Sequence, residues 1–171
     1  TTVTVYAKYD PSVKQEYTLS VNSKGNNAQA ETKIGTVFSA GSLQYKVTGS
    51  SEVTVTGLSQ KKPKTVNIPD TVARGKTKFK VTAIAAKAFS YTDVARVTIG
   101  ANVKTIGSAA FKGCKKLSAA DIRSKKLVTV GKDAFKGIYA AAKIKVPSVK
   151  YAAYQKLLQN KGQGKKVKIV R

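Results

Sequence analysis

Few residues in this chain could do covalent or acid–base chemistry, and their spacing works against them. There are no histidines, which removes most catalytic triads, most zinc sites and the usual proton shuttle near neutrality. Beyond residue 60 the only carboxylates are Asp70, Asp93, Asp121 and Asp133, and none lies at i+2 or i+4 from another. A two-carboxylate site would need the fold to gather them. Ser59-Gln60-Lys61-Lys62 has the Ser-x-x-Lys spacing of an acylating serine, but this Ser and Lys content produces about two such matches by chance. Gly75-Lys76-Thr77 imitates the end of a phosphate-binding loop, yet the glycine required upstream is Asp70. It reads as a hairpin turn. Cys114 is the only cysteine, so no intrachain disulfide is possible. Nearby lysines could activate its thiol, but its place between Phe111 and Leu117 favours a buried packing role. No catalytic residue, metal site or cofactor is expected.

What remains is charge. Lys and Arg number 32 against 8 Asp and Glu, a net of +24. Residues 1–60 hold five basic and four acidic side chains, a net of +1, which leaves +23 for residues 61–171. Such a field attracts polyanions without choosing among them. Only four of the basic residues are Arg (Arg74, Arg96, Arg123 and Arg171). Arg supplies the planar fork that reads base edges, whereas Lys is a mobile point charge. Sequence-specific nucleic-acid recognition is therefore not expected. The apolar fraction of 42% suffices for a real core. No apolar run approaches the roughly 18 residues needed to cross a bilayer, so no membrane span is expected. Thr1 is not an initiator Met and no leader pattern follows it, so the chain is expected to be a processed or excised piece of something longer.

The elements that must position these side chains are written in a repeat. Val97-Thr-Ile99, Ala120-Asp-Ile122, Ile144-Lys-Val146 and Val167-Lys-Ile169 follow one another at 23, 24 and 23 residues. Between them recur Ala88-Phe89, Ala110-Phe111 and Ala134-Phe135, at 22 and 24. A fixed period of this size is the mark of a solenoid, in which each coil buries its apolar face against its neighbours. Val66-Asn-Ile68 opens the first coil, which carries an extra hairpin through Arg74-Gly75-Lys76. Leu43–Thr48 and Val53–Thr56 alternate as strands, and Gly41…Tyr45-Lys-Val-Thr48 echoes Gly75…Phe79-Lys-Val-Thr82. The architecture is therefore expected to begin near residue 36 in degenerate form. At the other end Ser148 is expected to cap a helix carrying Tyr151, Tyr154 and Leu158, ended by Gly162 and followed by a last strand at Val167–Ile169.

The run from Ile99 to Leu117, Ile-x-x-x-Val-x-x-Ile-Gly-x-x-Ala-Phe-x-x-Cys-x-x-Leu, resembles the BspA-type leucine-rich repeat of bacterial surface proteins. The resemblance spans about residues 60–150. It implies a β-rich α/β solenoid: a short leucine-rich-repeat stack with a strand about every 23 residues and a C-terminal capping helix plus strand. It also implies a non-catalytic adhesive or display module, secreted or at the bacterial cell surface. The expected organisation is an N-terminal β hairpin or linker over 1–35 and a repeat domain over 36–171. That domain would have caps at 36–60 and 147–171.

With Val97/Ile99, Ala120/Ile122, Ile144/Val146 and Val167/Ile169 inward, the residues between them point out. The outward ladder is then Asn67, Thr98, Asp121, Lys145 and Lys168, flanked by Thr65, Arg96, Ala119, Lys143 and Lys166, with Arg123 just beyond. Arg96, Thr98, Asp121, Arg123, Lys143 and Lys145 are the candidate ligand-binding residues. Their basic groups suit sulfate, phosphate or carboxylate, so a protein or an anionic polysaccharide or cell-wall polymer is the expected partner of a monomer. The alternatives are a purely structural spacer in a larger secreted protein and, less favoured, nonspecific nucleic-acid binding. The strip lacks an aromatic ring on which a sugar or base could stack.

Overall fold

The computed structural model describes residues 33–59 and 62–171 in full and the backbone of 3–5 and 17–19. Strand β1 (Val3–Val5) pairs antiparallel with β2 (Tyr17–Leu19). The expected turn at Asp10-Pro11 and the loop from Asn22 to residue 32 lie outside the described residues.

The body is a solenoid with two sheets for walls. One wall is a parallel sheet of β6 (Thr65–Ile68), β9 (Arg96–Ile99), β11 (Ala119–Ile122), β13 (Lys143–Lys145) and β14 (Lys168–Val170). Alternation decides their orientation: Val66, Ile68, Val97, Ile99, Ala120, Ile122 and Ile144 are buried while their neighbours reach solvent. The other wall contains β8 (Thr77–Ile84), β10 (Thr105–Ile106) and β12 (Thr129–Val130), also mutually parallel. It continues through β5 (Glu52–Leu58), β4 (Leu43–Gly49) and β3 (Val37–Ala40), with β7 (Thr71–Arg74) paired antiparallel to β8.

Each coil closes through a turn that carries the Ala-Phe pair. Lys87, Ala109 and Asp133, one residue before each pair, all have positive φ, at 59°, 54° and 57°. The chain thereby turns inward at the same place each time. The amides of Phe89 and Phe111 donate to Ala110 O and Ala134 O, both at 2.8 Å. Identical backbone frames align the rings: Phe89 and Phe111 stack at 5.2 Å and 4°, Phe111 and Phe135 at 5.5 Å and 10°. All three are fully buried. Close stacking also requires glycine just past β10 and β12. A Cβ on Gly107 would stand 2.4 Å from Ala86 N, and one on Gly131 would stand 2.4 Å from Ser108 N.

Cys114 lies in this core. Its Sγ donates to Phe89 O at 2.9 Å and sits 3.4 Å from Thr92 Oγ1. Burial pushes the thiol pKa up, more than the Thr92 contacts lower it. This is the packing role expected for it, not an activated nucleophile.

The C-terminal end departs from the sequence reading in three places. Ser148 does not cap the helix: Ser148–Lys150 is a 3-10 turn behind Pro147, and α1 (Tyr151–Leu158) starts after it without a side-chain cap. The helix stops at Leu158, before Gly162, because Gln159 turns extended. The chain then rejoins the coil path: Asn160 has φ of 55°, and the Phe135 amide donates to Lys161 O at 3.0 Å, as Phe111 does to Ala134 one coil earlier. Finally, Ile144 pairs with Ile169, not Val167. The helix lengthens this coil, and a two-residue shift keeps the same face inward. Consequently Lys168 stands beside Lys143, and Val170 takes the expected place of Lys168 beside Lys145.

Helix α1 is held by Tyr154, whose buried hydroxyl accepts the Leu127 N–H at 2.9 Å and donates to Ser124 O at 3.0 Å. Burial raises its pKa, against a lowering from the Leu127 amide.

Candidate functional site

The outward face of the parallel sheet carries two complete columns of side chains. The first runs Thr65, Arg96, Ala119, Lys143 and Lys168; the second runs Asn67, Thr98, Asp121, Lys145 and Val170. Five of the six expected site residues therefore sit on the neighbouring strands β9, β11 and β13. Arg123 lies just past β11, its amide donating to Ile99 O at 2.9 Å. Strands in a sheet stand about 4.8 Å apart, so Lys143 and Lys168 are immediate neighbours and Arg96 is two strands away. The residue between Arg96 and Lys143 is Ala119, a small side chain that leaves a shallow gap in the basic column.

Charge is not balanced locally. All five carboxylates among the described residues are engaged. Glu52 meets Lys104 at 3.1 Å, Asp93 meets Lys116 at 3.1 Å, Asp121 meets Arg123 at 3.2 Å and Asp133 meets Lys136 at 3.7 Å. Asp70 accepts the Ala101 amide and ties β6 to the next coil. On the sheet face Asp121 pairs with Arg123, and Arg96, Lys143, Lys145 and Lys168 are the cationic groups of the two columns that form no ion pair among the described residues. The sequence missed two parts of this arrangement. The Asp121–Arg123 pair could have been suspected from their i, i+2 spacing on one strand face. The placing of Lys168 could not, because Val167 and Ile169 fit the alternation equally well.

A third feature lies off this face. Tyr91 follows Phe89 by two residues, where the next coils have Gly113 and Gly137. All three have positive φ, at 57°, 73° and 70°. A bulky side chain there is an outlier, and Tyr91 is 73% exposed. Aligning the coils by their Ala-Phe pairs would have revealed it.

Among the described residues no helix is long and apolar enough to cross a membrane. The family model described as the BspA type leucine rich repeat region matches residues 77–170, in six copies. This starts later and runs further than the 60–150 read from the sequence, and it takes in the helix and last strand. No curated protein matches the chain. The fold is similar to that of a leucine-rich repeat protein from Bacteroides capillosus ATCC 29799, with TM-score 0.64 and 22% identity over 79% of this chain and 99% of that one. It is also similar to a leucine rich cell surface protein from Faecalibacterium prausnitzii A2-165, with TM-score 0.54 and 20% identity over 69% of this chain and 34% of that one. A leucine-rich repeat protein from Bacteroides ovatus ATCC 8483 has TM-score 0.52 and 24% identity over 78% of this chain and 37% of that one. The chain thus spans nearly all of the first structure and about a third of the other two. With just over half its length matched by the family model, this chain belongs to the BspA type leucine-rich repeat family.

Proposed function

We propose that residues 36–171 act as a non-catalytic attachment module on the outside of a bacterial cell. The module holds an anionic polymer or the acidic surface of a protein against the open face of the parallel sheet. The observation that carries this reading is the column of Arg96, Lys143 and Lys168 beside Lys145, fixed by strand register and facing solvent. A rigid sheet holds such groups in place before the partner arrives, which lowers the ordering cost of binding. Similarity of fold to a leucine rich cell surface protein supports the location.

A structural spacer is the second reading, and the distribution of lysine favours it. Lys46, Lys78, Lys80, Lys125, Lys126 and Lys132 are exposed on other parts of the surface. One experiment separates the two. The triple variant R96E/K143E/K145E and the control K46E/K78E/K80E change net charge equally. Retention on immobilised poly-L-glutamate should fall sharply for the sheet variant and little for the control. Equal losses would mean that total charge alone matters, which favours the spacer.

A further inference from the structure

We propose that Tyr91 is the platform of a second site, which binds a pyranose ring of a glycan. Tyr91 lines a cleft of about 450 Å³ together with Leu58, Ser59, Lys62, Pro63, Thr92 and Asp93. That volume is within the range of small-ligand sites. The cleft lies where Leu58, Ser59, Lys62 and Pro63 meet the first Ala-Phe turn, away from the sheet face.

Three observations converge on the ring. First, the fold has glycine at the two matching positions, whereas here a tyrosine occupies a left-handed backbone conformation. A side chain there raises the energy of the folded state, and such outliers collect at functional sites. Second, the ring is seated. A Cβ on Gly113 would stand only 2.4 Å from Tyr91 Cδ1 and 2.6 Å from Cε1, so the ring lies against the bare backbone of the next coil. The Tyr91 amide is fixed as well, donating to Lys112 O at 2.8 Å. Third, the ring remains largely exposed despite that support.

The surrounding groups suit a sugar better than a fatty or purely aromatic ligand. A pyranose has an apolar C–H face and a polar rim, and it stacks on aromatic rings while its hydroxyls find partners at the edge. Leu58 and Pro63 extend the apolar floor. Thr92 Oγ1 gives its proton to Phe89 O, and Ser59 Oγ gives its proton to Gly41 O. The Ser59 oxygen therefore keeps lone pairs for a sugar hydroxyl, whereas the Thr92 oxygen also faces the buried Cys114 Sγ at 3.4 Å. Asp93 meets Lys116 through Oδ1, which leaves its second oxygen to accept, and the Lys62 ammonium can donate. A peptide docking by strand addition would need an open row of backbone groups instead.

The probes are cellotetraose, chitotetraose, maltotetraose and a Pro-rich decapeptide, titrated into ¹⁵N-labelled protein. The expected result is saturable binding of at least one oligosaccharide, with amide shifts at Lys62, Tyr91, Thr92 and Asp93. Y91G should weaken that binding about tenfold or more, and Y91F should retain it. Y91G should fold at least as well as the parent, because glycine accepts φ of 57°. R96E/K143E/K145E should bind the sugar unchanged, so a failed sheet-face reading leaves this one standing. No saccharide binding, binding that Y91G preserves, or binding of the peptide alone would each overturn the proposal.

Discussion

The repeat body and the N-terminal strands both pack aromatic rings, and they do so in different ways. In the body, Phe89, Phe111 and Phe135 stack almost parallel, within 10° of one another along the row. In the strands β3, β4 and β8, Phe38 meets Tyr45 at 22° and Phe79 at 41°, with centroids 5.4 and 6.2 Å apart. The difference follows from backbone repetition. Identical turns present identical side chains at one spacing, so each ring is held by copies of itself. The N-terminal strands repeat only in degenerate form, and Phe38 stays half-buried with the Arg74 guanidinium 5.2 Å from its ring centre. A solenoid end must be closed by something that does not repeat. Here antiparallel hairpins close one end, and a helix with a last strand closes the other.

The sharpest way to break this contrast is to remove the middle ring. Phe111→Ala opens a cavity touching two neighbours and should cost about 3–5 kcal/mol by urea denaturation. Phe38→Ala, at a half-buried ring with solvent nearby, should cost about 2 kcal/mol or less. Equal losses would mean that the row has no special standing.

Alkaline pH probes the N-terminal strands. Burial pushes the Tyr45 phenol up to about 12, against about 10 in the unfolded chain. The folded state therefore holds this proton more tightly. The stabilisation is complete below pH 10 and is lost as pH rises toward 12, by up to about 3 kcal/mol. The difference between the parent and Tyr45→Phe isolates the tyrosine, and the variant's stability curve should be flatter between pH 10 and 12.

At the other end, Tyr154→Phe leaves the Leu127 amide and Ser124 carbonyl without their partner. It should cost about 2 kcal/mol and release α1 first, seen as faster hydrogen exchange at Leu127 than at Ile106. The smallest effect concerns crowded charge. Lys143 and Lys168 are register partners, and at that separation they repel by less than about 1 kcal/mol in water-like surroundings. Many such terms add up, so the melting temperature should rise as salt goes from low to physiological. A flat response would mean that the lysines lie far enough apart to ignore one another.

The parts legible in the sequence were those that recur. The apolar pairs of the parallel sheet and the Ala-Phe row each belong to a pattern seen several times, and a period averages out local ambiguity. The parts that were not legible occur once. Alternation with period two fits Val167 and Ile169 alike, so only the length of the helical coil fixes the register of β14. Ser148 looked like a cap because its residue type is right, yet Pro147 ahead of it directs the chain into a 3-10 turn. Arg123 was counted as a free cation, but its side chain folds back onto Asp121. Tyr91 stands out only when the coils are aligned by their Ala-Phe pairs, which sets a tyrosine against Gly113 and Gly137.

The central claim is that contact with a polyanion is localised by strand register, not spread by net charge. The direct measurement is a titration of ¹⁵N-labelled protein with poly-L-glutamate at physiological salt. The account expects the largest amide shifts at Arg96, Lys143, Lys145 and Lys168, with little change at Lys46, Lys78 or Lys132. Shifts of similar size on every lysine-bearing face would contradict it.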